Sequence, residues 1–183
     1  NIFSDIYGVG PKKADDLVEK GVKTLEELKS RQNELLNEKQ KIGLRHYDDI
    51  LKRIPRSEID DYAKVFQASF DDVKTDDAEM QIVGSYRRGA QTSGDIDVIV
   101  TSPQQSMFNA FMDKLLEKNI ITDVLSRGNT KSLVVGKLPS SSTHRRIDFL
   151  YTPKDEYPFA LLYFTGSKIF NTVMRARALS MNY

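Results

Sequence analysis

The chain has no cysteine, only two histidines, no excess of either charge and no long apolar run. Without cysteine there are no disulfides and no thiolate metal sites, which points to an intracellular setting rather than a secreted one. The longest apolar stretches, such as Pro158 to Phe164, fall far short of the roughly 20 residues that cross a bilayer, so no membrane partner is expected. Lysine and arginine number 27 against 26 aspartates and glutamates, for a net charge of +1. The totals therefore carry no nucleic-acid signal, and any such reading has to come from local clusters. What remains is an ordinary folding composition, 39% hydrophobic and 29% charged over 183 residues. That suffices for one medium domain or two small ones. No targeting segment, internal repeat or low-complexity stretch is visible. Asn1 is not an initiator methionine, and "FNTVMRARALSMNY" stops within a helical pattern, so the chain reads as a piece of a longer one.

The pattern changes along the chain. Up to about Lys52 it reads as helical. "GPKKADDLVEKG" sets Pro11 just inside a helix start and Gly21 at its end, and "TLEELKSR" offers Thr24 and Glu27 as a capping box. "PRSEIDDYAKVFQASFDDV" continues with Ile59, Tyr62, Val65, Phe66 and Phe70 on one helical face. After "KTDDAEM" the segments "MQIVGSY", "DIDVIVT", "SLVVGKLP" and "RRIDFLYTP" read as strands, with an amphipathic helix in "SMFNAFMDKLLEKN". From Ala160 the text turns helical again. The expected class is α+β, with a helical subdomain over residues 1–55, a sheet-bearing module over 56–152 and the start of a third piece over 153–183.

The chemistry concentrates in "GSYRRGAQTSGDIDVIV", Gly84 to Val100. Alternate residues of a strand share a face, so Asp95 and Asp97 point one way while Ile96 and Val98 point the other. Asp148 has the same setting, between Ile147 and Phe149. If the two strands are neighbours, three carboxylates converge, and such mutual repulsion calls for multivalent cations. Oxygen donors alone select a hard ion, Mg²⁺ or Mn²⁺. Two such ions roughly 3.5–4 Å apart form a phosphoryl-transfer clamp. A D-x-D pair by itself is more often a solvated strand end. Here it opens an apolar run, and upstream stands a glycine-serine whose backbone N–H groups, Ser85 hydroxyl and nearby Arg88 suit a terminal phosphate.

Taken together, "GSYRRG", "SGDIDVIVT", "HRRIDF" and "LLYFTGSKIFN" resemble the family X DNA polymerases, most closely the beta and lambda types. "IYGVGPKKADDLVEKGVKTLEEL" and "KIGLRHYDDILKRIPR" match the same proteins in the same order. The resemblance implies a template-directed polymerase that adds deoxynucleotides to a primer 3′-hydroxyl, filling short gaps in DNA repair. It implies that Asp95 and Asp97 hold both divalent ions, while Asp148 holds the catalytic one and helps activate the primer. Arg53, Ser85, Arg88 and Gly94 then meet the incoming nucleoside triphosphate. Tyr163 and Phe164 lie along its sugar, Gly166 is a further nucleotide contact, and Asn171 and Arg175 lie by the nascent base pair and template. Lys131 and Arg146 are implied primer or backbone contacts.

"YGVGPKKA" looks like a helix-hairpin-helix, in which Gly8, Gly10, Lys12 and Lys13 bind DNA phosphate without reading bases. The resemblance also implies a monovalent cation, Na⁺ or K⁺, on the carbonyls of Ser4, Ile6 and Val9. The implied partners are gapped or primed DNA and deoxynucleoside triphosphates. A monomer working beside other repair proteins, in the nucleus or the mitochondrion, completes the expectation.

Two positions depart from the beta type: Lys168 replaces an acidic residue, and Leu150 replaces an arginine that pairs there with a metal-binding carboxylate. The family's lyase module is not in this sequence. Two other readings stay open. One is a template-independent nucleotidyltransferase acting on RNA or a small molecule; the other is a DNA-binding scaffold with an inactive site. His46 and His144, each beside arginine, read as surface residues rather than ligands.

Overall fold

The structure is a computed structural model that describes residues 1–166 together with Arg175, Ala176 and Leu179. It divides into two compact units, Asn1–Lys52 and Arg53–Tyr183. Among the described residues no helix is long and apolar enough to cross a membrane.

The first unit is helical. A 3₁₀ turn over Ile2–Asp5 leads into α1 (Pro11–Glu19), α2 (Leu25–Ser30), α3 (Gln32–Leu35), α4 (Glu38–Arg45) and α5 (Tyr47–Leu51). Pro11 opens α1, where its missing N–H costs nothing, and Gly21 follows at φ +85°. At α2 the Thr24 hydroxyl accepts from the Glu27 N–H, but the Glu27 carboxylate accepts from Lys23 N–H. The expected capping box therefore closes on one side only. A reciprocal box stands instead at Asn37 and Gln40, at the start of α4. Phe3, Ile6, Leu17, Leu28 and Leu44 form the core of this unit. A Cβ on Gly43 would come within 2.2 Å of the Tyr7 carbonyl oxygen, so only glycine lets α4 pass this close to the loop before α1.

The second unit is a mixed α/β fold. In order it contains β1 (Ile54–Pro55), α6 (Arg56–Val73), β2 (Glu79–Ile82), α7 (Gly84–Arg87), β3 (Thr92–Ser93) and β4 (Ile96–Thr101). Then follow α8 (Ser106–Glu117), β5 (Ile121–Arg127), β6 (Lys131–Gly136), β7 (Arg145–Thr152) and α9 (Tyr157–Thr165). The strands form a sheet in the order β2-β4-β7-β6-β5, parallel between β4 and β7 and antiparallel elsewhere. β1 and β3 form a small separate ladder.

One face of the sheet packs on α6 and α8. Ile96, Val98, Val100, Ile147 and Phe149 meet Ile59, Tyr62, Phe66, Phe108 and Phe111 there. Phe149 sits edge-on to both Phe66 (5.3 Å between centroids) and Phe111 (5.7 Å). Such pairs are worth about 0.5–1.5 kcal/mol each beyond their buried area, enough to resist a slip of β7 that would turn Phe149 outward. On the opposite face Ile99 packs with Val83, Tyr157 and Ala160, so α9 covers part of that side.

Two sequence expectations shift. "MQIVGSY" is a strand only as far as Ile82, because Gly84 at φ +68° turns the chain into α7. The last helical segment begins at Tyr157 rather than Ala160.

Candidate active site

Since Phe149 and Val98 face the core, alternation turns their neighbours Asp148 and Asp97 to the other face. The parallel register of β4 and β7 sets Asp97 directly opposite Asp148. Asp95 precedes β4 by one residue, on the Asp97 side. Asp95, Asp97 and Asp148 each offer a carboxylate oxygen within 4.8 Å of the others, with Asp95 exposed and the other two half-buried. The convergence expected from the sequence is therefore present.

The electrostatics are those of an anion cluster. Burial, then the charges of Asp95 and Asp148, push the Asp97 carboxyl up to about 7, against a smaller pull from Arg146. Asp95 is also raised, first by desolvation in the cleft and then by Asp148, with Arg146 and Arg53 opposing. A divalent cation reverses both effects, and three carboxylates with no nitrogen or sulfur donor suit Mg²⁺ or Mn²⁺. The residues present fit such an ion.

A cavity of about 150 Å³ adjoins the cluster, lined by Asp97, Asp148, Lys131, Leu150, Phe164 and their neighbours. Lys131 is exposed at its rim. Arg146 is buried at 6% exposure, donating to the Val134 carbonyl and to Asp148 Oδ1. Its guanidinium thus forms an ion pair with a catalytic candidate. Leu150 leaves no cation at its own position to pair with an aspartate, and the cation on Asp148 comes from two residues before it instead.

The nucleotide-side candidates gather around α7 and β3. Gly84 approaches the cluster so closely that a Cβ there would lie 2.9 Å from Asp97 Oδ2. The Ser85 and Ser93 hydroxyls are 2.6 Å apart. Arg53 donates to the Thr92 hydroxyl (3.2 Å) and the Thr92 carbonyl (3.1 Å). A Cβ on Gly94 would stand 3.2 Å from Arg53 Nη1, so the bare glycine lets that guanidinium lie beside the strand. Arg88 donates to the carbonyls of Thr165 (2.7 Å) and Gly166 (3.2 Å), at the end of α9. Tyr163 stacks on Phe159, meets Phe164 edge-on, and carries the Arg175 guanidinium 4.9 Å above its ring. Asn171 and Lys168 lie outside the described residues.

In the first unit Gly8 takes φ +88°, and its carbonyl accepts from Gln40 Nε2. The Ile6 carbonyl accepts from Val9 N–H at 3.0 Å, which leaves one lone pair of that oxygen for a cation. Gly10 caps α1 without a side-chain bond, and an open hollow beside it is lined by Gly10, Lys12, Lys13 and Asp16. Lys13 lies 3.7 Å from Asp16, so its charge is partly matched within the helix.

With this geometry in place, the family profile described as DNA polymerase beta palm matches residues 53–154. The chain belongs to the family X DNA polymerases. A second profile, the fingers domain of DNA polymerase lambda, matches residues 1–51. DNA polymerase lambda of Rattus norvegicus is 38% identical over 189 residues, covering 97% of this chain and 32% of the relative. DNA polymerase lambda of Arabidopsis thaliana is 34% identical over 197 residues, covering 100% of this chain and 37% of the relative. DNA nucleotidylexotransferase of Ambystoma mexicanum is 30% identical over 221 residues, at 97% and 43%. The chain thus spans less than half the length of each of these relatives.

One residue of this family X chain escaped the sequence reading. Arg145, at 5% exposure, makes a two-pronged ion pair with Glu58 (2.6 and 2.8 Å) and donates to the Arg53 carbonyl (3.3 Å). It ties β7 to the residue that carries a candidate phosphate contact. The available signal was a second arginine beside Arg146 at the mouth of an apolar strand, where a charge needs a partner.

Proposed function

We propose that the chain is the catalytic core of a template-directed DNA polymerase that fills short gaps during DNA repair. The observation that carries this reading is the three-carboxylate cluster on β7, on β4 and just before it, in a chain of family X. Residues 1–55 would serve as a helix-hairpin-helix that grips DNA phosphates, with Na⁺ or K⁺ on the carbonyls of Ser4, Ile6 and Val9. Residues 56–152 would be the palm, and 153–183 the start of the nucleotide-side subdomain.

Asp95, Asp97 and Asp148 would hold two Mg²⁺ ions, with Mn²⁺ able to substitute. Bound there, the ions would supply the charge neutralisation that phosphoryl transfer needs. The protein side of the reaction is orientation. Arg53, Ser85, Arg88 and Gly94 contact the triphosphate. The Asp148 carboxylate accepts the hydrogen of the primer 3′-hydroxyl as that oxygen bonds to the α-phosphorus and pyrophosphate departs. Phe164 and Tyr163 bound the sugar, and Arg175 approaches the base pair. The protein would act as a monomer in the nucleus, alongside other repair proteins.

The test is extension on single-nucleotide gapped duplexes, each carrying a different templating base, by the whole protein with Mg²⁺. Insertion that follows the template supports the reading. Insertion indifferent to the template, or extension of single strands or RNA alone, would replace it with template-independent transfer.

A further inference from the structure

α7 is four residues long, too short to hold its own shape, yet Ser85 and Arg88 both stand on this turn. Its geometry has to be imposed from outside. Arg56, the first residue of α6, does this from several directions. Its backbone N–H donates to the Gln91 carbonyl at 2.8 Å. Its guanidinium donates to the carbonyls of Tyr86 (2.6 Å) and Ala90 (3.2 Å), and lies 4.3 Å above the centre of the Tyr86 ring. One turn further along α6, Asp60 accepts the Tyr86 hydroxyl. That carboxylate, then burial, raises the Tyr86 phenol above its ordinary range, so the hydroxyl stays a donor. α6 is a rigid mount, because Ile59, Tyr62, Phe66 and Phe70 anchor it in the main core.

We propose that Arg56 is a positioning residue for the incoming nucleotide: through Tyr86 and Ala90 it fixes the turn that presents Ser85 and Arg88 to the triphosphate. It touches no reacting atom. The planar face of the guanidinium matters here, because the group stacks on a ring while its Nη1 nitrogen donates to both carbonyls. The inference rests on the reading of Ser85 and Arg88 as triphosphate contacts.

The experiment measures dCTP binding by the whole protein on a gapped duplex with a dideoxy-terminated primer, and single-turnover insertion on the extendable duplex. Arg56→Gln should weaken dCTP binding about tenfold, while gapped-DNA affinity and the saturated insertion rate change less than about threefold. Tyr86→Phe loses only the Asp60 bond and should weaken it about threefold. Arg56→Lys, which still donates but cannot stack as a plane, should fall between wild type and Arg56→Gln. If Arg56→Gln does not fold, Tyr86→Phe decides the matter. Unchanged dCTP affinity in the folded variants overturns the inference, as does a lowered unfolding midpoint with no change in affinity. Wild-type protein that binds no dCTP overturns the underlying polymerase reading as well. Normal wild-type binding with unaffected variants overturns this inference alone.

Discussion

Asp97 and Asp148 stand directly opposite each other across the parallel pairing of β4 and β7, about 50 residues apart in sequence. Their neighbours Val98 and Phe149 enter the core side by side, so the packing that fixes the sheet register also fixes the site. Replacing Asp148 by Asn keeps the shape and removes the charge. We expect insertion to fall by about a thousandfold or more, because under the proposed mechanism the carboxylate that activates the primer hydroxyl is lost. Gapped-DNA affinity should stay within about threefold. A variant with near-normal turnover in Mg²⁺ would remove Asp148 from the mechanism.

The raised Asp97 carboxyl predicts a specific pH dependence for the metal-free protein. Its ordinary value is 3.8 and burial with two anionic neighbours lifts it to about 7. A carboxyl raised by folding stabilises fully below its unfolded value and loses that contribution as pH climbs through the folded one. With chelator present, the unfolding midpoint should therefore drop between pH 4 and 7 by more than in Asp97→Asn. Mg²⁺ at pH 8 should restore it, because the ion binds the ionised form. Identical pH profiles for wild type and Asp97→Asn would contradict this account.

Gly84 tests how tightly the turn is fitted to the cluster. It takes φ +68°, and a Cβ would meet the Asp97 carboxylate at 2.9 Å. Gly84→Ala should cost about 1–2 kcal/mol from the left-handed backbone alone. That corresponds to a fall of roughly 2–8 °C in unfolding midpoint at this size. Turnover should fall further than the stability loss explains, since Asp97 has to move. Retained turnover with a lowered midpoint would mean that the carboxylate has room to shift.

Much of this site was legible before the structure because its signal is periodic. Asp95 and Asp97 announce a shared face by their spacing, and Asp148 repeats the setting between two apolar residues. What escaped is non-local or aperiodic. β5 is an edge strand with two register irregularities, and its burial does not alternate. β1 and β3 are two residues each, so their ladder exists only through tertiary contact. Gly84 ends β2 by its backbone angle, which the apolar run before it does not reveal. Arg146 and Asp148 are two apart on one strand and could have been paired from alternation. The Arg145–Glu58 pair spans 87 positions and could not.

That pair supports the last prediction. Arg145 is 6% exposed at its side chain and Glu58 18%, so neither charge is well served by water. Removing one partner from such a pair typically costs about 3–5 kcal/mol, because the other charge stays buried without its counter-ion. Glu58→Gln should therefore lower the unfolding midpoint markedly. Replacing both residues by leucine removes the stranded charge and often recovers the loss. Arg145 has a second task that leucine cannot perform, since it donates to the Arg53 carbonyl and so helps place the Arg53 guanidinium beside Gly94. The double variant should thus regain much of its stability while its KM for the nucleotide stays several-fold above wild type. Unfolding midpoint and KM measured on the same preparations separate the two effects. Recovery of both together would make Arg145 a purely structural residue, and failure of both would mean that the leucines do not pack where the ion pair stood.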